Sequence, residues 1–305
     1  MTIWKPLTLQ GSGVEKTEIT SPRASHWLLV SIPAEVKGVE LAKLSVTRSW
    51  GFAVWVFGQS VILRQVRISD NERALYVGGM AQAQLINSQI QSNKVHGAML
   101  SDSARLEILE SRIFGNGGFG IYALDSAQVS IISTSVTNNM EGIRMRDIAT
   151  VKIHSSKISS QFNEGLIVED LAELHVIDSV IADNNGDGLI LGDSATAWIH
   201  RTRVVNNGAW KLCQEINYVC SGITVKSRAQ LTVADSVIQE NMDWGLAAWL
   251  KKCGYSEDAF TGMVTVDEKT VIERNNASSN QKGMGNPGNH PWNRPDVPDG
   301  QVCLP

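Results

Sequence analysis

Arg144 and Arg146 lie two positions apart, and Glu169 and Asp170 begin 23 residues after Arg146. Proton abstraction beside a sugar carboxylate needs a base and a cation that neutralises the acid. Arginine can be that base, and neighbouring carboxylates can hold calcium. Arg144, Arg146 and Glu169 are therefore the candidate catalytic residues. Asp147 and Asp170 are the candidate calcium ligands, with Glu169 beside them. Tyr76, Met99, Tyr122, Leu124 and Lys226 would complete a sugar site, with rings to stack on, an apolar floor and a cation. A hydrolase is less expected than a lyase, because it normally needs two carboxyl groups across the scissile bond.

Other residues invite chemistry and have plainer readings. Asp102, Asp125, Asp147, Asp170 and Asp193 recur at one position, either capping turns or binding calcium. Lys152, His154, His175, Trp198 and His200 fall on one alternating face, where surface histidines are the expectation over a metal site. Four cysteines allow three pairings, and the least rearrangement joins Cys213 to Cys220 and Cys253 to Cys303. Disulfides imply an extracytoplasmic or secreted setting.

These residues need elements to position them, and a repeat provides these. Small residues open successive lines at Gly51, Ala74, Gly97, Gly120, Gly142, Gly165, Gly188, Gly222 and Gly245. The gaps are 23, 23, 23, 22, 23, 23, 34 and 23, the long one holding an insertion over 211–221 with Cys213 and Cys220. A fixed period of this size marks a solenoid. Within a line, apolar residues alternate after the opening residue, as at Ala98 and Leu100, then again at Leu106 and Ile108, with a third point at Ile113. Period two is the strand signature, and 22 or 23 residues leave no room for a crossover helix. Asn93, Asn116, Asn138, Asn184 and Asn241, with Asp70 and Gln161 as substitutes, are expected to stack as an amide ladder. Ser88, Ser111, Thr134, Ser156, Ser179, Thr202 and Ser236 are expected to form a hydroxyl stack.

This period, the Asn ladder and the Gly-x-x-x-x-Asp-x-Ala rhythm resemble the right-handed parallel β-helix repeat superfamily over about residues 28 to 250. Pectate lyases and related carbohydrate-binding and sugar-processing proteins share that architecture. The expected fold is all-β: a single-stranded right-handed parallel β-helix of about nine to ten coils. It occupies residues 1–250, and 251–305 form an irregular C-terminal cap of the same domain. The resemblance implies that the outer face of the first sheet carries the site. The Gly-His-Gly signature of β-helical polygalacturonases and the Asp-Pro-His-Asp motif of β-helical mannuronan epimerases are absent.

Composition narrows the partners. Of 305 residues 43% are hydrophobic, and the net charge of -4 offers no basic field for nucleic acid. No apolar run is long enough for membrane insertion. "MTIWKPLTLQGSG" reads as starting inside a strand, so a truncated first coil and a leader removed from the start are expected. The expected partner is a polysaccharide or surface glycan, bound along the first sheet and open to cleavage. The competing expectation is a non-catalytic structural or adhesion solenoid that recognises a protein.

Overall fold

The computed structural model describes residues 1–21, 27–208, 213, 219–275 and 301–305. The chain is an all-β parallel β-solenoid of about nine turns. The described residues include one 3-10 turn, Lys251–Cys253. Two compact units, Met1–Lys157 and Ile158–Pro305, carry it.

In the first unit, strands Leu28–Ile32, Phe52–Val56, Arg73–Val77, Ala98–Leu100, Phe119–Ala123 and Glu141–Met145 pair in parallel as the first sheet. The second sheet is built on two 11-residue strands, Lys37–Thr47 and Gln59–Ser69. Later coils divide this length into two strands, as in Gln82–Ile86 followed by Gln89–Gln91. The division is a corner at one residue of positive φ per coil. Leu63, Leu85, Ile108, Ile131 and Ile153 pair one above another, and all are buried. Each such side chain contributes about 1.5–3 kcal/mol. The stacking is what the alternating pattern encodes.

In the second unit the first sheet runs Leu166–Val168, Leu189–Leu191, Ile223–Val225, Leu246–Ala248 and Val302–Cys303. The "MVTV" and "TVIER" stretches supply a last partial coil, pairing as Met263–Val266 and Val271–Glu273. Cys253 is bonded to Cys303 and Cys213 to Cys220, as the spacing suggested.

The amide ladder departs from the expected set. Asn71 and Asn139 occupy it, whereas Asp70 and Asn138 are exposed residues at positive φ. Asn71 Nδ2 donates to Asn93 Oδ1 at 3.0 Å, Asn93 to Asn116 at 2.9 Å and Asn116 to Asn139 at 2.8 Å. In the second unit Asn184, Asn207, Asn241 and Asn275 continue in the same way. The coil closing at Gly142 is one residue short, and the deletion falls between ladder and glycine, so counting back from the glycine misplaces the amide. The hydroxyl stack forms as expected, with Ser111 N–H donating to Thr134 Oγ1 at 3.1 Å. Opening glycines are required by close approach: a Cβ on Gly188 would lie 2.6 Å from the Gly222 carbonyl and 2.8 Å from Asn207 Nδ2.

One register differs too. Val54 pairs with Leu75 and Trp55 with Tyr76, so Ala53, not Gly51, stands opposite Ala74. Ala53 is accordingly buried, and Trp55 takes the outward position equivalent to Tyr76.

Candidate functional site

Alternation in the first sheet decides which side chains leave the core. In the first unit, Trp55, Tyr76, Met99, Tyr122 and Arg144 pair in series and project outward, each half-buried. Neighbouring coils lie about 4.8 Å apart, so rings on successive coils stack face to face along the solenoid. Trp55 and Tyr76 do so, with centroids 4.1 Å apart. Phe52 and Phe57 pack against the same pair. The Tyr76 hydroxyl meets Ser101 Oγ at 2.5 Å, and that hydroxyl donates to Asp102 Oδ2 at 3.1 Å.

Met99 interrupts the series of rings, paired with Tyr76 on one side and Tyr122 on the other. Beyond Met99 lies a second aromatic cluster. His96 stacks on Phe119 at 4.9 Å, Phe119 meets Tyr122 at 4.8 Å, and the Arg144 guanidinium lies 5.6 Å from the Phe119 centroid. Burial, followed by the nearby Arg73 charge, lowers the His96 imidazole to about 4. The Phe119 N–H donates to His96 Nδ1 at 3.2 Å. The neutral ring, accepting at Nδ1, therefore keeps its proton on Nε2. Leu124 is half-buried at the rim and Arg146 is exposed.

The second unit contributes a different surface. Glu169 is half-exposed at an outward position. Gly192 leaves room for Lys226, since a Cβ there would lie 2.5 Å from the lysine Cε. Lys226 Nζ reaches to 6.0 Å from the Trp249 centroid. Past this point the outward face is closed. Trp249 stacks on Tyr255 at 4.3 Å, and Thr224 and Ala247, which also leave the first sheet on its outer side, are buried.

Under Tyr255 lies a polar cluster that the residue pattern did not single out. Asp187 is 2% exposed, and its Oδ1 accepts from Ser221 N–H at 2.9 Å and from Thr224 Oγ1 at 2.5 Å. The Tyr255 hydroxyl is 2.9 Å from Thr224 Oγ1. Burial pushes the Asp187 carboxyl up to about 8, against the pull of these bonds; the Glu164 and Asp243 charges push it further. Burial raises the Tyr255 phenol as well. The signal was available: the residue before the opening glycine is Glu164, Asp187 and then Ser221 in successive lines.

The Asp row caps turns. Asp102, Asp125, Asp147, Asp170 and Asp193 all have positive φ. Asp125 Oδ2 accepts from Asp102 N–H at 2.8 Å and Asp147 Oδ2 from Asp125 N–H at 3.0 Å. In the second unit Asp193 Oδ2 accepts from Asp170 N–H at 3.1 Å. Among the described residues no three His, Cys, Asp or Glu side chains are grouped to hold a metal ion. On the second sheet His175 stacks on Trp198 at 4.5 Å, with its Nε2 2.6 Å from Glu173 Oε1.

Two overlapping stretches, residues 30–179 and 117–257, match the family model described as a right-handed beta helix region. The chain belongs to this family. Solved β-helix structures share the fold at low identity. A periplasmic alginate epimerase has 15% identity and a TM-score of 0.59, covering 89% of this chain and 72% of its own. The A-module of a mannuronan C-5 epimerase from Azotobacter vinelandii has 11% identity and a TM-score of 0.57, covering 90% and 84%. The catalytic unit of a thermostable GH87 alpha-1,3-glucanase from Streptomyces thermodiastaticus has 12% identity and a TM-score of 0.53, covering 88% and 60%. No curated protein matches the sequence. No helix among the described residues is long and apolar enough to cross a membrane.

Proposed function

We propose that this β-helix protein binds polysaccharide along the outer face of its first sheet, chiefly on the strip from Trp55 to Arg144. The observation that carries the reading is the register-aligned series of rings and cation, interrupted at Met99. A sugar ring seated over Met99 would meet the Tyr76 and Tyr122 rings, with Ser101 for its hydroxyls and Arg144 for a carboxylate. Lys226 and Trp249 offer a similar pairing of cation and ring in the second unit. The solved β-helix structures that act on alginate, mannuronan and α-1,3-glucan support a carbohydrate partner, and the two disulfides support an extracytoplasmic setting.

Cleavage, where it occurs, would be of the lyase kind, with Arg144, Arg146 and Glu169 as the residues to test. The chain lacks the Asp-Pro-His-Asp motif, so epimerisation is not carried over. The Asp147 and Asp170 row we read as turn caps rather than a calcium site.

The test is binding to polygalacturonate, alginate and a neutral glucan, with and without calcium. Tyr122→Ala should weaken binding about five- to tenfold, from lost ring contact. A lyase would also release unsaturated products absorbing in the ultraviolet, abolished by Arg144→Ala. Failure to bind any of these glycans would favour the second reading, a solenoid that recognises protein. That reading draws on Trp27 and Trp50, each 63% exposed, and Met80, 74% exposed, in the first unit.

A further inference from the structure

The first unit has a cleft on the corner of the second sheet. In three successive coils this corner is a residue at positive φ: Lys43 at 54°, Gln65 at 53° and Asn87 at 49°. The residues on either side pair in register, so these three side chains form a column. Arg67 and Gln89, two residues further along their strands, pair as an adjoining column. The N-terminal turn roofs one end. Gly13 N–H donates to the Lys43 carbonyl at 2.9 Å, which brings Val14 over the corner. Together they border an open cleft of about 320 Å³ with Val14 among its walls.

Of its lining side chains Lys43, Gln65 and Asn87 are exposed and Gln89 is half-buried. Among the described residues the side chains of Lys43, Gln65, Asn87 and Gln89 have no hydrogen-bond or ion-pair partner. Arg67 is committed: it pairs with Glu15 and donates to the Val14 carbonyl at 3.1 Å. Asp70 and Glu18 also bear on its charge. The cation left for a ligand is therefore Lys43.

Those groups define a chemistry. A primary amide donates and accepts at one place, as a hydroxyl does, so three amides suit a polyhydroxylated ring. A single uncommitted ammonium suits one carboxylate. The volume lies at the lower end of small-molecule sites, which run from roughly 300 to 1,000 Å³, enough for one ring rather than a chain. We propose that this cleft binds a single carboxylated sugar ring, independently of the first-sheet strip.

Titration of the full chain with glucuronate, followed by amide NMR, tests this. Saturable shifts of the Asn87 and Gln89 side-chain amides are expected, with glucose binding more weakly. Lys43→Asn removes the ammonium and Asn87→Asp opposes the carboxylate, and both substituents tolerate positive φ. Each should weaken glucuronate binding about tenfold without lowering the melting temperature, and Tyr122→Ala should leave it unchanged. The proposal is overturned by a wild type that shows no saturable binding, by folded Lys43→Asn and Asn87→Asp proteins that bind as wild type, or by glucose binding equally well. Loss of binding in Tyr122→Ala would also overturn it, since the ring would then lie on the first sheet.

Discussion

Replacing Asp187 by Asn should remove a pH dependence of stability that the buried cluster under Tyr255 imposes. The carboxyl is 2% exposed, and its pKa stands at about 8 in the folded protein, against 3.8 as its ordinary value. Between those limits the folded state holds a proton that the unfolded state has released, so stability falls as pH rises. The contribution is fully present below about pH 4 and is lost as pH passes the folded value. The limiting slope is about 1.4 kcal/mol per pH unit and halves at the folded value, so from pH 6.5 to 8 the loss is roughly 1.6 kcal/mol. For a chain of this size that is about 3 °C in melting temperature.

The amide introduced by Asp187→Asn would resemble the protonated acid. Its carbonyl can still accept from Ser221 N–H and Thr224 Oγ1, while the group carries no charge towards Glu164 or Asp243. Thermal unfolding of both proteins from pH 6.5 to 8, at fixed ionic strength, gives the difference directly. Wild type should lose stability relative to Asp187→Asn across the window. Parallel curves would refute the argument, because they would mean that the carboxyl is already ionised or reaches water.

Two further outcomes follow from other parts of the structure. His96 works in the opposite sense: its folded value of about 4 lies below 6.5, so its contribution is present above pH 6.5 and is lost as pH falls through 4. His96→Phe should flatten that acid-side loss in melting experiments, and an unchanged slope would contradict a neutral imidazole beneath Tyr122. Asn116→Ala removes an acceptor for Asn93 N–H and Nδ2 and a donor to Asn139. Buried groups left without partners should make the variant about 3 kcal/mol less stable in denaturant unfolding. Loss of less than about 1 kcal/mol would mean that water replaces the ladder amide.

Much of the fold was legible because a solenoid repeats a short-range rule. Alternation at Ala98 and Leu100, or at Leu106 and Ile108, records which side chains face the core in every coil. Spacing also led to both disulfides. Where the count slipped, the cause was local: a one-residue deletion put Asn139 rather than Asn138 in the ladder, and a two-residue shift put Ala53 rather than Gly51 opposite Ala74.

The candidate site was legible only in part. Outward positions for Tyr76, Met99, Tyr122 and Arg144 follow from period two alone, so the chain's own pattern places them on one strip. Three-dimensional packing did the rest. It turned the His96 ring onto Phe119 and laid Tyr255 against Thr224 and Trp249. It also buried Asp187 and roofed the Lys43 corner with the N-terminal turn. Periodicity sorts side chains into inside and outside, because each strand residue answers only to its neighbours in the same line and the next. Which outward groups lose water depends on segments that break the repeat, and no local pattern encodes where those segments come to rest.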